Sequence, residues 1–282
     1  MTKNVVPMSN PLAHKRLAVL GAGKMGGILL RGFLGQKLIA PSQVSATVRH
    51  AERAEALAKE LGISVGTDNR AAARGADIVL LAVKPVTVGD VLREISAEIK
   101  PGTLVVSAAA SVPTKSIEQH LAANVGVVRA MPNTPCAIGC GMTGLAGGAH
   151  ATAADLDLAK AMFEAVGRVV VVDEKQMDAV TGLSASGPAF VYIILESLAE
   201  GGVKAGLPRE TAMLLAAQTM QGAARTVLET GAHPAMLKDA VTTPAGCTID
   251  GILELEDGKL RVTLIKAVMK AAERAKELMF DN

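Results

Sequence analysis

Two hydrophobic rhythms divide the chain. Up to about residue 172, short apolar runs alternate with stretches whose apolar residues recur at helical spacing, as in Ala54, Leu57, Ala58 and Leu61. The pattern predicts strands over 17–20, 43–48, 63–65, 77–83, 103–107, 125–129, 141–146 and 168–172, with helices over 51–61, 69–74, 88–99, 113–121 and 153–166. The run Asp77-Ile78-Val79-Leu80-Leu81-Ala82-Val83 has no polar alternation, which marks a strand covered on both faces in a parallel sheet. Alternating strand and helix builds parallel βαβ units, so a doubly wound sheet is expected.

Beyond Asp173 the rhythm becomes helical throughout, over 188–205, 208–229 and 260–279, with no lasting period-two segment. Leu195, Leu198, Met213, Leu214, Leu215, Met220, Val227 and Leu228 are more apolar surface than a few separate helices can hide. A second copy of the chain is the expected cover. The fold class is therefore α/β, a Rossmann-type doubly wound sheet followed by an all-helical dimerisation domain. The expected divisions are a flexible leader over 1–16, a dinucleotide-binding domain over 17–172 and a helical substrate and dimerisation domain over 173–282.

Composition narrows the function classes. The chain has 282 residues, 2% aromatic, with no Trp and one Tyr, so it lacks the stacking platforms of single-strand nucleic-acid binders. Its formal net charge of +2 comes from interspersed residues without a Lys/Arg run. Neither nucleic acid nor a membrane span is expected as a partner, and the start carries no secretory pattern. Cys136, Cys140 and Cys247 are too few and too irregular for a disulfide framework or zinc, which fits thiols in a reducing cytoplasm. The five histidines form no pair at i, i+4 and no nucleophile elbow, so neither metal nor hydrolytic chemistry is indicated.

The first strand runs into Gly21-Ala22-Gly23-Lys24-Met25-Gly26, a G-x-G-x-x-G turn leading into a helix. Gly21 turns the chain, Gly23 admits a pyrophosphate to the backbone and Gly26 allows close helix–strand packing, while the helix amides face the phosphate. The second strand ends Ala46-Thr47-Val48-Arg49-His50, with no carboxylate to grip a ribose 2′-hydroxyl. Arg49, with Thr47, suits a 2′-phosphate and favours NADP over NAD, the alternative being a solvated Arg49. Lys84-Pro85 and Ser107-Ala108-Ala109-Ala110-Ser111 follow strands at the ligand-bearing edge. Lys84-Pro85 shapes a loop beside the nicotinamide riboside rather than supplying a catalytic lysine, and the alanines either let a flat ring lie close or form a plain turn. Asp173, Glu174 and Asp178 read as helix-dipole acids. Two small-residue loops, 182–188 and 242–248, end at helix starts suited either to a small anion or to simple Ser/Thr capping.

From about Leu17 to Leu278 the sequence resembles the pyrroline-5-carboxylate reductase family. The carriers are Gly21 to Gly26, Ala82-Val83-Lys84-Pro85, Met131-Pro132-Asn133-Thr134-Pro135, the run from Asp178 to Ala189, and Val241 to Glu256. The resemblance implies NAD(P)H-dependent reduction of 1-pyrroline-5-carboxylate to proline, with a Rossmann domain and a helical domain that interlocks with its partner. It implies cofactor contacts from Gly21, Ala22, Gly23, Lys24, Met25, Gly26, Asn69, Ala82 to Pro85 and Ala108 to Ala110. It implies that Thr243, Gly246 and Cys247 hold the substrate carboxylate and that Thr248 hydrogen-bonds the ring nitrogen. Where relatives have Pro-Gly-Gly-x-Thr, this chain reads Pro244-Ala245-Gly246-Cys247-Thr248, so no positive φ is expected at Ala245. A β-hydroxyacid dehydrogenase, a reductase of another cyclic imine, and a non-catalytic NADP-binding scaffold are the alternatives.

Overall fold

A computed structural model describes residues 10–122 and 124–278. Eight strands form one sheet: β1 (Leu17–Leu20), β2 (Val44–Thr47), β3 (Ser64–Gly66), β4 (Ile78–Leu81), β5 (Leu104–Ser107), β6 (Gly126–Met131), β7 (Gly141–Gly147) and β8 (Gly167–Val171). Between them lie α1 (Lys24–Gly35), α2 (Ala51–Leu61), α3 (Asn69–Ala73), α4 (Val88–Ile95), α5 (Thr114–Glu118) and α6 (Ala153–Glu164). The strand order is β3-β2-β1-β4-β5-β6-β7-β8. The order reverses direction at β1, which pairs with both β2 and β4 in parallel. Such a switch point opens a crevice at the carboxyl ends of the strands.

Side-chain alternation along the strands creates two core layers. Leu17, Val19, Ile78, Leu80, Leu104 and Val106 join Leu29, Leu30 and Phe33 of α1 and Phe163 of α6. Ala18, Leu20, Val79, Leu81 and Val105 face the other way, onto Val91, Leu92 and Ile95 of α4 and Ile117 of α5. All four residues of β4 are fully buried, as its unbroken apolar run predicts.

The sheet is not wholly parallel. β6 and β7 run antiparallel, with Met131 opposite Gly144 and Val128 opposite Gly147. The reason is the connection: Thr134–Ile138 is a single 3-10 turn, too short for the helical crossover that parallel neighbours require. The expected leader lies outside the described residues up to position 9, but the part from Asn10 to Arg16 is anchored. Leu12 is fully buried, and Asn10 Nδ2 donates to the Leu38 carbonyl at 2.7 Å.

Further helices follow: α7 (Met177–Val180), α8 (Gly187–Lys204), α9 (Arg209–Thr230), α10 (Pro234–Val241), α11 (Cys247–Asp257) and α12 (Leu260–Glu277). By contacts the described residues form two compact units, one being Ser186–Met269 and the other the rest of them. This boundary falls later than the expected 173. Within the first unit, Glu174 binds Thr114 and Asn133 Nδ2 donates to the Ser184 carbonyl at 3.1 Å, so residues 174–185 stay with the sheet. In the second unit α8 and α9 pack through Ala199, Ala212 and Ala216. Small residues there let the helices approach closely, while Tyr192, Ile193, Leu214, Leu253 and Ile265 remain exposed.

The small-residue stretch after Val180 does not break the helix as expected. Thr181–Ala185 forms a π-turn, and the helical run Glu174–Lys204 becomes long and apolar enough, by length and composition alone, to cross a membrane. No such span was expected, because the apolar helical patterns are interrupted by Glu or Lys; Pro188 does not break the run, since it sits in the first turn of α8, where a helix tolerates it.

Candidate functional site

The glycine turn sits at the switch point. Gly21 has φ +90, and a Cβ there would lie 2.7 Å from Val83 Cγ1. A Cβ on Gly26 would lie 2.5 Å from the Gly21 carbonyl oxygen, whereas one on Gly23 would meet nothing nearer than 3.9 Å. Gly21 and Gly26 are thus demanded by the protein itself, while Gly23 leaves bare backbone facing open space. No side chain caps α1, whose N-cap is Gly23, so its first amides remain available to an anion.

A cleft of about 580 Å³ opens beside this turn. Of the expected cofactor residues, it brings together Gly21, Ala22, Gly23, Arg49, Asn69, Ala82, Val83 and Lys84. Lys24, Met25 and Gly26 continue into α1 without lining it; Pro85 begins the 3-10 turn Pro85–Thr87. The alanine loop also lies off the lining, and Ala109 is buried in the core among Val105, Val112 and Ile117 rather than open to a ligand ring. The cleft adds residues that the sequence reading did not assign: His50, Arg53, Thr67 and Thr87. Arg53 lies in the first turn of α2, which brings it to the same cleft as Arg49. Arg49, His50 and Arg53 are exposed, and neither arginine has an ion-pair partner among the described residues. Together they form a cationic rim where the ribose-recognising carboxylate of an NAD site would stand.

In the second unit Thr243 to Gly246 forms a tight turn closed by the Gly246 N–H donating to the Thr243 carbonyl at 3.0 Å. Pro244 occupies its second position and Ala245, at φ +57, its third. The expectation of no positive φ at Ala245 fails: the turn demands the left-handed region whichever residue occupies it, as a type II turn does. Gly246 is required for a different reason, since a Cβ there would lie 2.4 Å from Thr243 Oγ1. Gly246 is also the N-cap of α11, without a side-chain cap, so the helix start bearing Cys247 and half-buried Thr248 presents amides and a hydroxyl together. α8 likewise starts uncapped at Ser186.

The three junction acids part ways. Asp173 caps its own short turn, accepting from the Lys175 N–H, which holds its carboxyl below the usual range. Glu174 accepts from both the N–H and the hydroxyl of Thr114, each at 2.7 Å. Glu174 and Asp178 also each approach Arg129 to 3.7 Å. They are therefore partners of a buried arginine rather than dipole acids; the arginine in the apolar run Val127-Val128-Arg129-Ala130-Met131 was the overlooked signal. All three cysteines are free, and no cluster that could hold a metal occurs among the described residues.

Known proteins carry the same plan. A family model described as pyrroline-5-carboxylate reductase dimerisation matches residues 174–278, and one described as NADP oxidoreductase coenzyme F420-dependent matches residues 16–111. The chain is 44% identical over 267 residues to a pyrroline-5-carboxylate reductase of Methanosarcina acetivorans, covering 95% of this chain and 99% of that protein. It is 41% identical over 268 residues to one of Glycine max, covering 95% and 97%. Among solved structures, a pyrroline-5-carboxylate reductase from Coxiella burnetii superposes with TM-score 0.85 at 38% identity, covering 94% of this chain and 98% of that one. The Plasmodium falciparum pyrroline carboxylate reductase with NADP bound gives TM-score 0.85 at 29% identity, with the same coverages of 94% and 98%.

Proposed function

The chain belongs to the pyrroline-5-carboxylate reductase family, and we propose from this how its own residues divide the work of the reaction. It is an NADP-dependent oxidoreductase that reduces 1-pyrroline-5-carboxylate to proline, the last step of proline biosynthesis. It is a homo-oligomer, at least a dimer in our reading, whose exposed apolar helix faces over 174–278 meet a second copy. The same contact accounts for the apolar face of Glu174–Lys204 without a membrane. Neither lipid nor nucleic acid belongs among the partners on this reading, and the unpaired thiols suit the cytoplasm.

The cradle fits a dinucleotide: bare backbone at Gly23, uncapped amides of α1 and a cationic rim at Arg49, His50 and Arg53. Gly21 to Gly26 would hold the pyrophosphate, with Arg49 and Arg53 on a 2′-phosphate and Asn69 and Ala82 to Pro85 along the rest. Ala108 to Ala110 would contribute backbone only. When bound, the nicotinamide supplies the hydride that the imine carbon accepts.

On the substrate side, the Thr243 hydroxyl and the amides at Cys247 and Thr248 would hold the carboxylate, a use of uncapped helix amides for an anion, with Gly246 closing the turn that presents them. The Thr248 hydroxyl would hydrogen-bond the ring nitrogen, keeping a proton at that atom as the C=N bond becomes C–N. Orientation of the ring by these groups removes entropy from the barrier. The uncapped start of α11, with Thr248 on its first turn, is the observation that carries this assignment.

The experiment follows NADPH oxidation with pyrroline-5-carboxylate beside piperideine-6-carboxylate and β-hydroxyacids. The five-membered imine should be preferred, and Thr248→Ala should lower kcat/KM by roughly a hundredfold with NADPH affinity intact. Unchanged turnover in Thr248→Ala would remove that role from Thr248.

A further inference from the structure

A carboxylate on α4 is hydrogen-bonded to Asn69, a residue that lines the cofactor cleft. Glu94 lies in the last turn of α4, and its Oε2 accepts a hydrogen bond from Asn69 Nδ2 at 2.8 Å. Asn69 Oδ1 lies 2.8 Å from Thr47 Oγ1, and Thr47 Oγ1 lies 3.2 Å from the amide nitrogen of Gly21. Four groups on four elements thus form a continuous chain, from the glycine turn through the end of β2 and the start of α3 to α4.

Its end groups fix its direction. A backbone N–H can only donate and an ionised carboxylate can only accept. Gly21 N–H therefore donates to the Thr47 oxygen, the Thr47 O–H donates to Asn69 Oδ1, and Asn69 Nδ2 donates to Glu94. No member can reverse without setting like against like: a turned Thr47 hydroxyl would point at the Gly21 N–H, and a flipped Asn69 amide would set its oxygen against the carboxylate. Thr47 is buried at 3% exposure, and its oxygen has both of these partners inside the protein. The Glu94 backbone is itself held, its carbonyl accepting from Arg70 Nε at 2.8 Å.

We propose that Glu94 is a positioning residue for the cofactor site: by accepting from Asn69 it fixes the amide orientation of Asn69 and, through Thr47, the Gly21 N–H. Asn69 then presents one remaining N–H and one remaining oxygen lone pair to the cleft in a single arrangement. The first glycine of the turn is held from behind as well as by its backbone geometry. Glu94 touches no ligand in this scheme and takes no part in hydride or proton transfer. The proposal rests on the reading of this cleft as the NADPH site.

The test is a charge-transposition pair read by NADPH dissociation constant and by the split between KM and kcat. Glu94→Ala leaves Asn69 free to turn and should raise the dissociation constant and KM for NADPH five- to tenfold, with kcat at saturating NADPH within twofold. Asn69→Asp sets two carboxylates against each other and should raise the dissociation constant more than tenfold. Adding Glu94→Gln to Asn69→Asp rebuilds the links to Thr47 and to position 94, the new amide donating to Asp, and should recover at least about threefold of the lost affinity, short of wild type because Asp offers the cleft no N–H. A role confined to general packing would not reverse in this way, and circular dichroism with thermal melts checks that each variant folds. The proposal is overturned if folded Glu94→Ala binds NADPH as wild type does, or if Glu94→Gln fails to rescue Asn69→Asp. Arg49→Ala separates the two readings: weakened NADPH binding in Arg49→Ala with no effect of Glu94→Ala removes the relay alone, whereas no effect of either removes the cleft assignment.

Discussion

Replacing Arg129 by methionine tests whether the junction over 174–185 is held to the sheet by charge. The guanidinium is 2% exposed, with Glu174 and Asp178 each at 3.7 Å, and neither contact is short enough to be a hydrogen bond. At an effective dielectric of about 20, each pair at that distance is worth about 4 kcal/mol before desolvation, which for a buried arginine offsets several kcal/mol. The net attraction is therefore modest, but the cost of breaking the group is not. Arg129→Met keeps the volume and leaves two partly buried acids facing each other without a cation, a change that destabilises by about 3–5 kcal/mol. A loss of that size is a large share of the roughly 5–15 kcal/mol that stabilises a protein of this kind, and it lowers Tm by roughly 10 °C. Differential scanning calorimetry at equal protomer concentration reads it directly, since oligomerisation makes Tm concentration-dependent. Adding Glu174→Gln and Asp178→Asn removes the stranded charges and should recover more than half of the loss. If Arg129→Met melts within a degree or two of wild type, or if the triple variant melts no higher than the single one, the electrostatic account is wrong.

Three further outcomes follow from the geometry of the two turns and the core. Gly26→Ala drives a methyl to 2.5 Å from the Gly21 carbonyl and should weaken NADPH binding at least tenfold, read by fluorescence titration, while Gly23→Ala should leave Tm unchanged because its Cβ meets only open space. Ala245→Gly relieves the left-handed strain at φ +57, of the order of 1 kcal/mol, and should slightly raise Tm; a fall would mean that the loop is not strained there. Burial pushes the Cys136 thiol up, so the folded chain holds that proton to higher pH than the unfolded chain does. Its contribution to stability is complete below the ordinary thiol range and falls as pH rises through it, and a thiol reagent at pH 8 should modify Cys136 only on unfolding.

Most of the fold can be read along the chain because local pattern and burial agree. The glycine turn, the β4 run and the long helices α8, α9 and α12 each carry a period or spacing that only one element satisfies. What escaped reading depends on partners distant in sequence. A strand such as β7 has the same side-chain alternation whichever way it runs, so only the short Thr134–Ile138 turn makes it antiparallel to β6. α10 escaped because it is short and begins at a turn, capped by His233 Nδ1 accepting from the Ala235 N–H, while of α11 only the start, after the 242–248 loop, was legible. In the site, Arg49 was visible from its place after β2, while His50 and Arg53 became site residues only once α2 turned them toward the same cleft. Glu94 had no local signal at all, since its meaning comes from Asn69, which no periodicity connects to α4.

The division of each central strand between two core layers has a consequence for how this gene can change. Leu80 and Leu81 are chemically the same residue, yet one packs with α1 and the other with α4. Exchanging one aliphatic residue for another in β1, β4 or β5 alters a packing volume. Inserting or losing a single codon there sends every following side chain to the opposite layer, and carries Ala82 and Val83 off the glycine turn. Length variation should therefore be confined to the loops, while these strands drift only in the kind of apolar residue they hold.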